Sequence, residues 1–207
     1  FSINTDKNII KTNVYDQKLV EMMQNDLNIE PNLLSREVNY NKSNLLLWSL
    51  IFYVMTLIVL TAISMIKIKN NKYKLIPLVL MVVGFLYHIS AVIIRITILK
   101  RPPVATLYES IIFVGLIAVL LAIIMELIKK DHFYLFIGSI AGIILHYLSF
   151  GYASDGDTFG VLVAVLNSNF WLSTHVTTIT AGYGITLIAG LTGHFYLIKA
   201  NITPNDK

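Results

Sequence analysis

Apolar residues fill five long stretches of this chain, and short polar or charged clusters separate them. The first stretch covers residues 44–66 and is followed by KIKNNKYK. The second covers 75–99 and is followed by KRPPVATLYES. The third covers 110–128 and is followed by KKDH. The fourth covers 133–152, and after the loop ASDGDTFGVLVAVLNSNF the fifth covers 171–198. About 20 apolar residues in helical form cross the hydrocarbon layer of a bilayer. Each stretch therefore predicts a transmembrane helix. A transmembrane β-barrel would instead show segments of about 10 residues with alternating polarity, and that alternation does not occur. The expected fold is all-α: a polytopic membrane protein with about five transmembrane helices. On this reading the spans contain no internal repeat and no proline.

The remaining chain divides around the spans. Residues 1–43 are polar, and within them DQKLVEMMQNDL (residues 16–27) has apolar positions spaced for a short amphipathic helix. The expected organisation is a polar extracytoplasmic segment over 1–43, a five-helix bundle over 44–198 and a tail or linker over 199–207. The chain starts with Phe1 and has no signal-peptide pattern, which predicts a piece of a longer polypeptide.

Composition agrees with the pattern. Hydrophobic residues make up 56% of the 207, and charged residues only 14%, against roughly 25% in soluble domains. The formal charge of +4 does not indicate nucleic acid, because the lysines sit in short loops between spans. Lys67, Lys69, Lys72, Lys74, Lys129 and Lys130 fall on one side, with Lys199 and Lys207 in the tail. Lys100 and Arg101 fall on the other, opposed by Asp155 and Asp157. The lysine-rich side is expected to be cytoplasmic, which places the N-terminal segment outside an inner (cytoplasmic) membrane. The chain has no cysteine, so disulfides, thiolate redox pairs and Cys-ligated metals are excluded.

This topology sorts the five histidines. His132 and His194 fall at the inner face, as interfacial residues. His88 lies near mid-depth in the second span, and His146 in the outer half of the fourth. Ionisable groups at membrane depth usually face the protein interior, so His146 reads as a hydrogen-bonded packing residue. Arg95 follows His88 by seven residues on the same helix face, and is also near enough to the outer end to snorkel. His175 follows Trp171 by four residues, and Trp favours the membrane interface. Thr174, Thr178, Gly182, Thr186, Gly190 and His194 repeat at i+4 beside it, a ladder expected to pack closely on a neighbouring helix. An imidazole held there can ligate a metal or haem iron, or shuttle a proton. In the second outer loop, Pro102 and Pro103 stiffen the chain. Arg95, Lys100 and Arg101 could there receive an anion such as a carboxylate, or form a lipid-headgroup rim.

Two segments together carry a family resemblance. Arg95, Pro103 and Leu107-Tyr108-Glu109-Ser110 resemble the R…P-x-x-N-L-Y-E-S segment of the CcsA group of cytochrome c biogenesis proteins, with Thr106 where that pattern often has Asn. Leu166-Asn167-Ser168, Trp171-Leu172, His175-Val176 and Gly182-Tyr183 resemble the segment that contains the family's first external histidine. The run Glu37-Val38-Asn39-Tyr40-Asn41-Lys42 is similar to fused CcsB–CcsA chains. The resemblance covers most of residues 36–198. It implies attachment of haem to apocytochrome c at the outer membrane face, as part of a cytochrome c synthetase, with a CcsB-type partner or fused domain. His175 would be an iron ligand, with Trp171, Tyr183, Arg95 and His88 as further cofactor-binding residues. Imidazole holds iron, aromatics offer a flat apolar platform, and arginine pairs with propionates. The family's tryptophan-rich loop and second external histidine do not occur in these residues. The alternative class is a transporter or proton-relay protein built on His88 and His146.

Overall fold

The computed structural model describes residue 36 and residues 39–66, 71–154 and 170–202. Five helices follow in chain order: α1 (Leu45–Ile66), α2 (Asn71–Leu99), α3 (Leu107–Lys129), α4 (Phe133–Ser154) and α5 (Phe170–Ile202). All five are long and apolar enough to cross a membrane. The chain is a multi-pass α-helical membrane protein. The helices match the apolar stretches closely, although α5 runs on to Ile202 rather than ending at 198. The expected amphipathic helix at 16–27 and the loop 155–169 lie outside the described residues. By internal contacts the chain divides into Phe1–Ser43 and Asn44–Lys207.

In the second of these units, consecutive helices run antiparallel. α1, α2, α3 and α4 each pack on the next, and α4 returns to α1, which closes a four-helix bundle; α5 lies outside it, chiefly against α3. The starts of α1, α3 and α5 therefore lie at the same end as the residue 100–106 loop. The α3–α4 turn lies at the other end.

The bundle core is built around Tyr53, Leu60, Met81, Val119, Ala122, Ile123 and Leu135. Small residues let the helices meet there. A Cβ at Gly84 would come within 2.9 Å of the Tyr53 ring, and one at Gly142 within 2.8 Å. The two glycines thus leave a slot between α2 and α4 into which α1 inserts its Tyr53 side chain. A second cluster, Ala118, Ile137, Ala141 and Ile188, seats α5, with Gly184 so close that an added Cβ would lie 2.9 Å from Ile117.

Pro77 corrects the expectation of proline-free spans. It lies inside α2 and is fully buried. As the seventh residue of α2 it lies past the four free N–H groups of the helix start, so it removes one i→i−4 bond, the one to the Tyr73 carbonyl.

The packing face of α5 is also corrected. Nothing lies within 4 Å of a Cβ built at Gly182 or Gly190, and Thr174, Thr178, Thr186 and His194 are exposed. The face that docks is Thr180, Gly184 and Ile188, which shares the i+4 spacing but is rotated around the helix. The threonines tolerate exposure because their hydroxyls bond back along the helix. Thr174 donates to the Phe170 carbonyl, Thr178 to Thr174, and Thr186 to Gly182, so no hydroxyl proton is left for lipid to desolvate.

The α3–α4 turn is tight. Lys130 closes α3 at φ 56, and His132 takes φ 64. Glu126 receives the His132 backbone N–H at 3.1 Å and faces its Nδ1 at 3.1 Å. Asp131 accepts the Phe133 N–H at 3.1 Å and so starts α4. His132 is therefore tied into a helix junction, while exposed His194 bonds only the Gly190 carbonyl of its own helix.

Gly142→Ala is expected to lower stability by about 1–3 kcal/mol, since the Tyr53 ring has nowhere to shift. Gly190→Ala should leave it unchanged or slightly raised, because the site is open and alanine favours the helix. Thermal unfolding of the detergent-solubilised protein compares the two.

Candidate functional site

Two polar clusters lie inside the bundle, both in the half nearer the 100–106 loop. The outer one is organised by Glu109. Thr106 caps α3 and accepts the Glu109 N–H at 3.2 Å, while Oε2 of Glu109 accepts the N–H groups of Ala105 and Thr106 at 3.1 and 3.2 Å. This is a capping box, in which the T-x-x-E spacing satisfies helix-end donors reciprocally. Oε1 of the same carboxylate receives Arg95 at 3.2 Å and Arg101 at 3.1 Å. Arg95 also lies over the Tyr108 ring, 4.9 Å from its centroid. Arg95 and Glu109 are 3% and 4% exposed.

Arg95 therefore does not snorkel to the surface. The anion that it and Arg101 receive is the chain's own Glu109. The space left among Arg95, Arg101, Pro102, Pro103 and Glu109 is about 10 Å³, room for no more than a water molecule. A larger ligand carboxylate does not fit beside these arginines as they stand.

The inner cluster lies about 10 Å deeper, judged from the seven-residue step from Arg95 to His88 at ~1.5 Å per residue. It joins four helices. Nε2 of His88, on α2, lies 3.1 Å from the Ile112 carbonyl of α3. A carbonyl only accepts, so Nε2 carries the proton and Nδ1 holds a lone pair. That lone pair receives the Tyr53 hydroxyl of α1 at 3.1 Å. His146, on α4, has the opposite assignment. Its Nδ1 donates to the Gly142 carbonyl at 2.9 Å, and its Nε2 accepts from Ser49 of α1 at 3.1 Å. The two imidazoles meet edge to face with centroids 4.5 Å apart. Tyr53, His88 and Ser49 are wholly buried and His146 is 1% exposed.

The remaining expected site residues lie elsewhere. His175, Trp171 and Tyr183 are all on α5 and all exposed, Trp171 by 76% and Tyr183 by 61%. The parallel packing of α5 on α3, with Gly184 against Val114 and Ile117, puts His175 at roughly the level of Glu109. His175 and Trp171, one turn apart, form an accessible pair on a helix face that the described residues leave uncovered. The expected haem-binding set thus separates. Arg95 is bonded to Glu109, His88 has both ring nitrogens engaged, and only the α5 residues remain reachable.

Whether these residues suit haem follows from that separation. His175 offers one exposed imidazole for iron, and Trp171 offers a ring beside it. No other histidine here supplies the opposite ligand, because His88 and His146 are locked in the bundle and His132 and His194 lie at the other end. Among the described residues the site fits as half of a bis-histidine site.

Sequence reasoning reached His88, His146, Arg95, Arg101 and Glu109 but missed Ser49 and Tyr53. Their signal was present: two hydroxyl residues at i and i+4 in an otherwise apolar helix, the pattern of an inward polar edge. Glu126 was also missed, although it is an acidic residue one turn from the end of a span.

The class is therefore settled by the fold: a polytopic helical membrane protein with a buried carboxylate shared by two arginines. Comparison of the chain with family models, with curated proteins and with solved structures finds no match in any of the three.

Glu109→Ala is expected to destabilise the bundle by about 3–5 kcal/mol, because it leaves two buried guanidinium groups without their carboxylate. Ser49→Ala should cost about 1–3 kcal/mol through the abandoned Nε2 of His146. Both are read as shifts in the melting temperature of the purified protein.

Proposed function

We propose that the chain is the front portion of a CcsA-type cytochrome c assembly protein and supplies one axial ligand, His175, for haem at the outer face of the inner membrane. The observation that carries this reading is the exposed His175–Trp171 pair at the start of α5, at the end of the bundle that also holds the Arg95–Glu109 motif. Both halves of the family resemblance therefore fall at one membrane face. Bound haem would bring the vinyl groups that form thioether bonds with the cysteines of apocytochrome c. His175 would hold the iron, and Trp171 would cover part of the macrocycle. Tyr183, two turns further along α5, would border the same face. The second ligand and the rest of the haem enclosure would come from a CcsB-type partner, a fused domain or further chain. Arg95 acts indirectly, holding Glu109 and so the start of α3. His88 acts as a packing anchor and not as an iron ligand. The lysine distribution supports an outward N-terminal segment.

The relay reading draws support from the adjacency of His88 and His146. It is the weaker of the two, because the outer nitrogens of both rings end on backbone carbonyls, Ile112 and Gly142. A proton that reached either ring would have no further side chain to move to.

The test is an absorption spectrum of the full-length protein purified from haem-replete cells. His175→Ala should reduce the haem Soret band at least tenfold, and added imidazole should restore part of it. An unchanged band in His175→Ala would overturn the ligand assignment.

A further inference from the structure

A wide groove lies at the lysine-rich end of the bundle, away from both polar clusters. It has a volume of about 500 Å³ and runs between the last turns of α1 and the start of α4, within the size range of small-molecule sites. Leu60, Thr61, Ser64 and Met65 form its α1 wall, an edge set by i+3 and i+4 spacing. Facing them are Phe133 and Phe136, with Asp131 and His132 of the α3–α4 turn beside them. Phe133 and Phe136 each pack edge to face on Phe195 of α5, with centroids 6.0 Å apart, so that wall is preformed. The groove is amphipathic, with apolar walls and polar groups gathered near the ends of the spans.

Those polar groups are mostly acceptors. Oε1 of Glu126 lies 3.1 Å from Nδ1 of His132. A carboxylate only accepts, so the proton is on Nδ1 and Nε2 keeps its lone pair. Nδ1 is buried while the side chain as a whole is 28% exposed, which leaves the ring edge with Nε2 open to the groove. Asp131 is exposed and uses one oxygen on the Phe133 N–H. Thr61 gives its hydroxyl proton to the Leu57 and Ile58 carbonyls, so only its lone pairs remain. Behind His132, the Glu126 carboxylate is 3% exposed, and its Oε2 has no hydrogen-bond partner among the described residues. Two carboxylates thus act on a groove that no Lys or Arg lines among the described residues. Lys129 and Lys130, both exposed, precede Asp131 just outside it.

We infer that this groove binds a membrane lipid whose headgroup carries a primary ammonium next to a phosphate, as phosphatidylethanolamine does. The ammonium brings three N–H donors and a positive charge. Asp131 and Nε2 of His132 accept from it, with Thr61 and Ser64 on the opposite wall. It lies in the field of Asp131 and Glu126, which no basic side chain of the lining offsets. The phosphate stays at the rim beside Lys129 and Lys130. The acyl chains follow Leu60, Phe133 and Phe136 toward the bilayer. A choline headgroup has the charge but no N–H, and a glycerol headgroup has donors but no positive charge. Neither meets both demands of the groove.

The experiment offers the full protein, purified in detergent, an equimolar mixture of phosphatidylethanolamine, phosphatidylcholine and phosphatidylglycerol with identical acyl chains. Bound lipid is read by native mass spectrometry. The parent protein should retain phosphatidylethanolamine about fivefold or more over either of the others, the ratio that charge-assisted hydrogen bonds supply. Asp131→Asn removes the charge yet keeps an oxygen for the Phe133 N–H, and should bring the three lipids within about twofold of one another. Ser64→Leu fills the groove from the α1 wall, far from the turn, and should lower phosphatidylethanolamine retention by about fivefold or more. Should Asp131→Asn fail to fold, Ser64→Leu decides. Equal retention of the three lipids by the parent protein, or a preference for phosphatidylglycerol, overturns the inference. So does an unchanged phosphatidylethanolamine preference in folded Asp131→Asn, or unchanged retention in Ser64→Leu. None of these results bears on the Soret band assigned to His175.

Discussion

A chain that crosses a membrane has no water with which to satisfy a buried polar atom, and this constraint shapes the whole bundle. Every polar group placed inside must find its partner within the protein. Ser49, Tyr53, His88 and His146 meet that demand by bonding across helices, and in doing so they fix the order in which α1 to α4 stand around the core. A Leu-lined interface would tolerate small slides of one helix along another. An imidazole bonded at both nitrogens does not, because a slide of one turn would orphan two polar atoms in a medium that cannot replace them. Apolar packing below this layer, around Met81, Val119 and Leu135, contributes area. The polar layer selects which arrangement that area stabilises.

The same reasoning explains the outer cluster. Glu109 accepts from two backbone donors and from one nitrogen of each of two guanidinium groups with one carboxylate. The start of α3, the 100–106 loop and the last turns of α2 are thereby joined by one side chain. Motif residues such as Tyr108 and Glu109 act here on architecture, through a ring beneath Arg95 and a cap on α3.

The helices were legible because a membrane span is the strongest signal a sequence carries, a run of apolar residues cut by Lys, Pro and Gly. The depth of His88 and His146 was legible for the same reason. Their adjacency was not, because it depends on which faces of α2 and α4 turn inward, and an all-apolar helix has little amphipathic asymmetry to reveal that. The ladder on α5 shows the same difficulty. Thr174, Thr178, Gly182 and Thr186 form one i+4 series, and Thr180, Gly184 and Ile188 form another. Spacing alone ranks the first higher. What chose the second was the bulk of Ile117 and the Val114 carbonyl on α3, which only Gly184 can approach. Pro77 does not interrupt the apolar run, since Leu75, Ile76, Leu78 and Val79 flank it, and a hydropathy pattern therefore carries the span straight through it.

The opposed tautomers of the two buried histidines make them unequal reporters of the molecule's state. The proton on His88 is held by a carbonyl of a different helix, so its position registers the separation of α2 from α3. The proton on His146 is held by the preceding turn of its own helix and is indifferent to that separation. A nitrogen-resolved spectrum of the pair would therefore contain its own internal reference, a His88 N–H that follows the separation of α2 from α3 beside a His146 N–H that follows the integrity of α4.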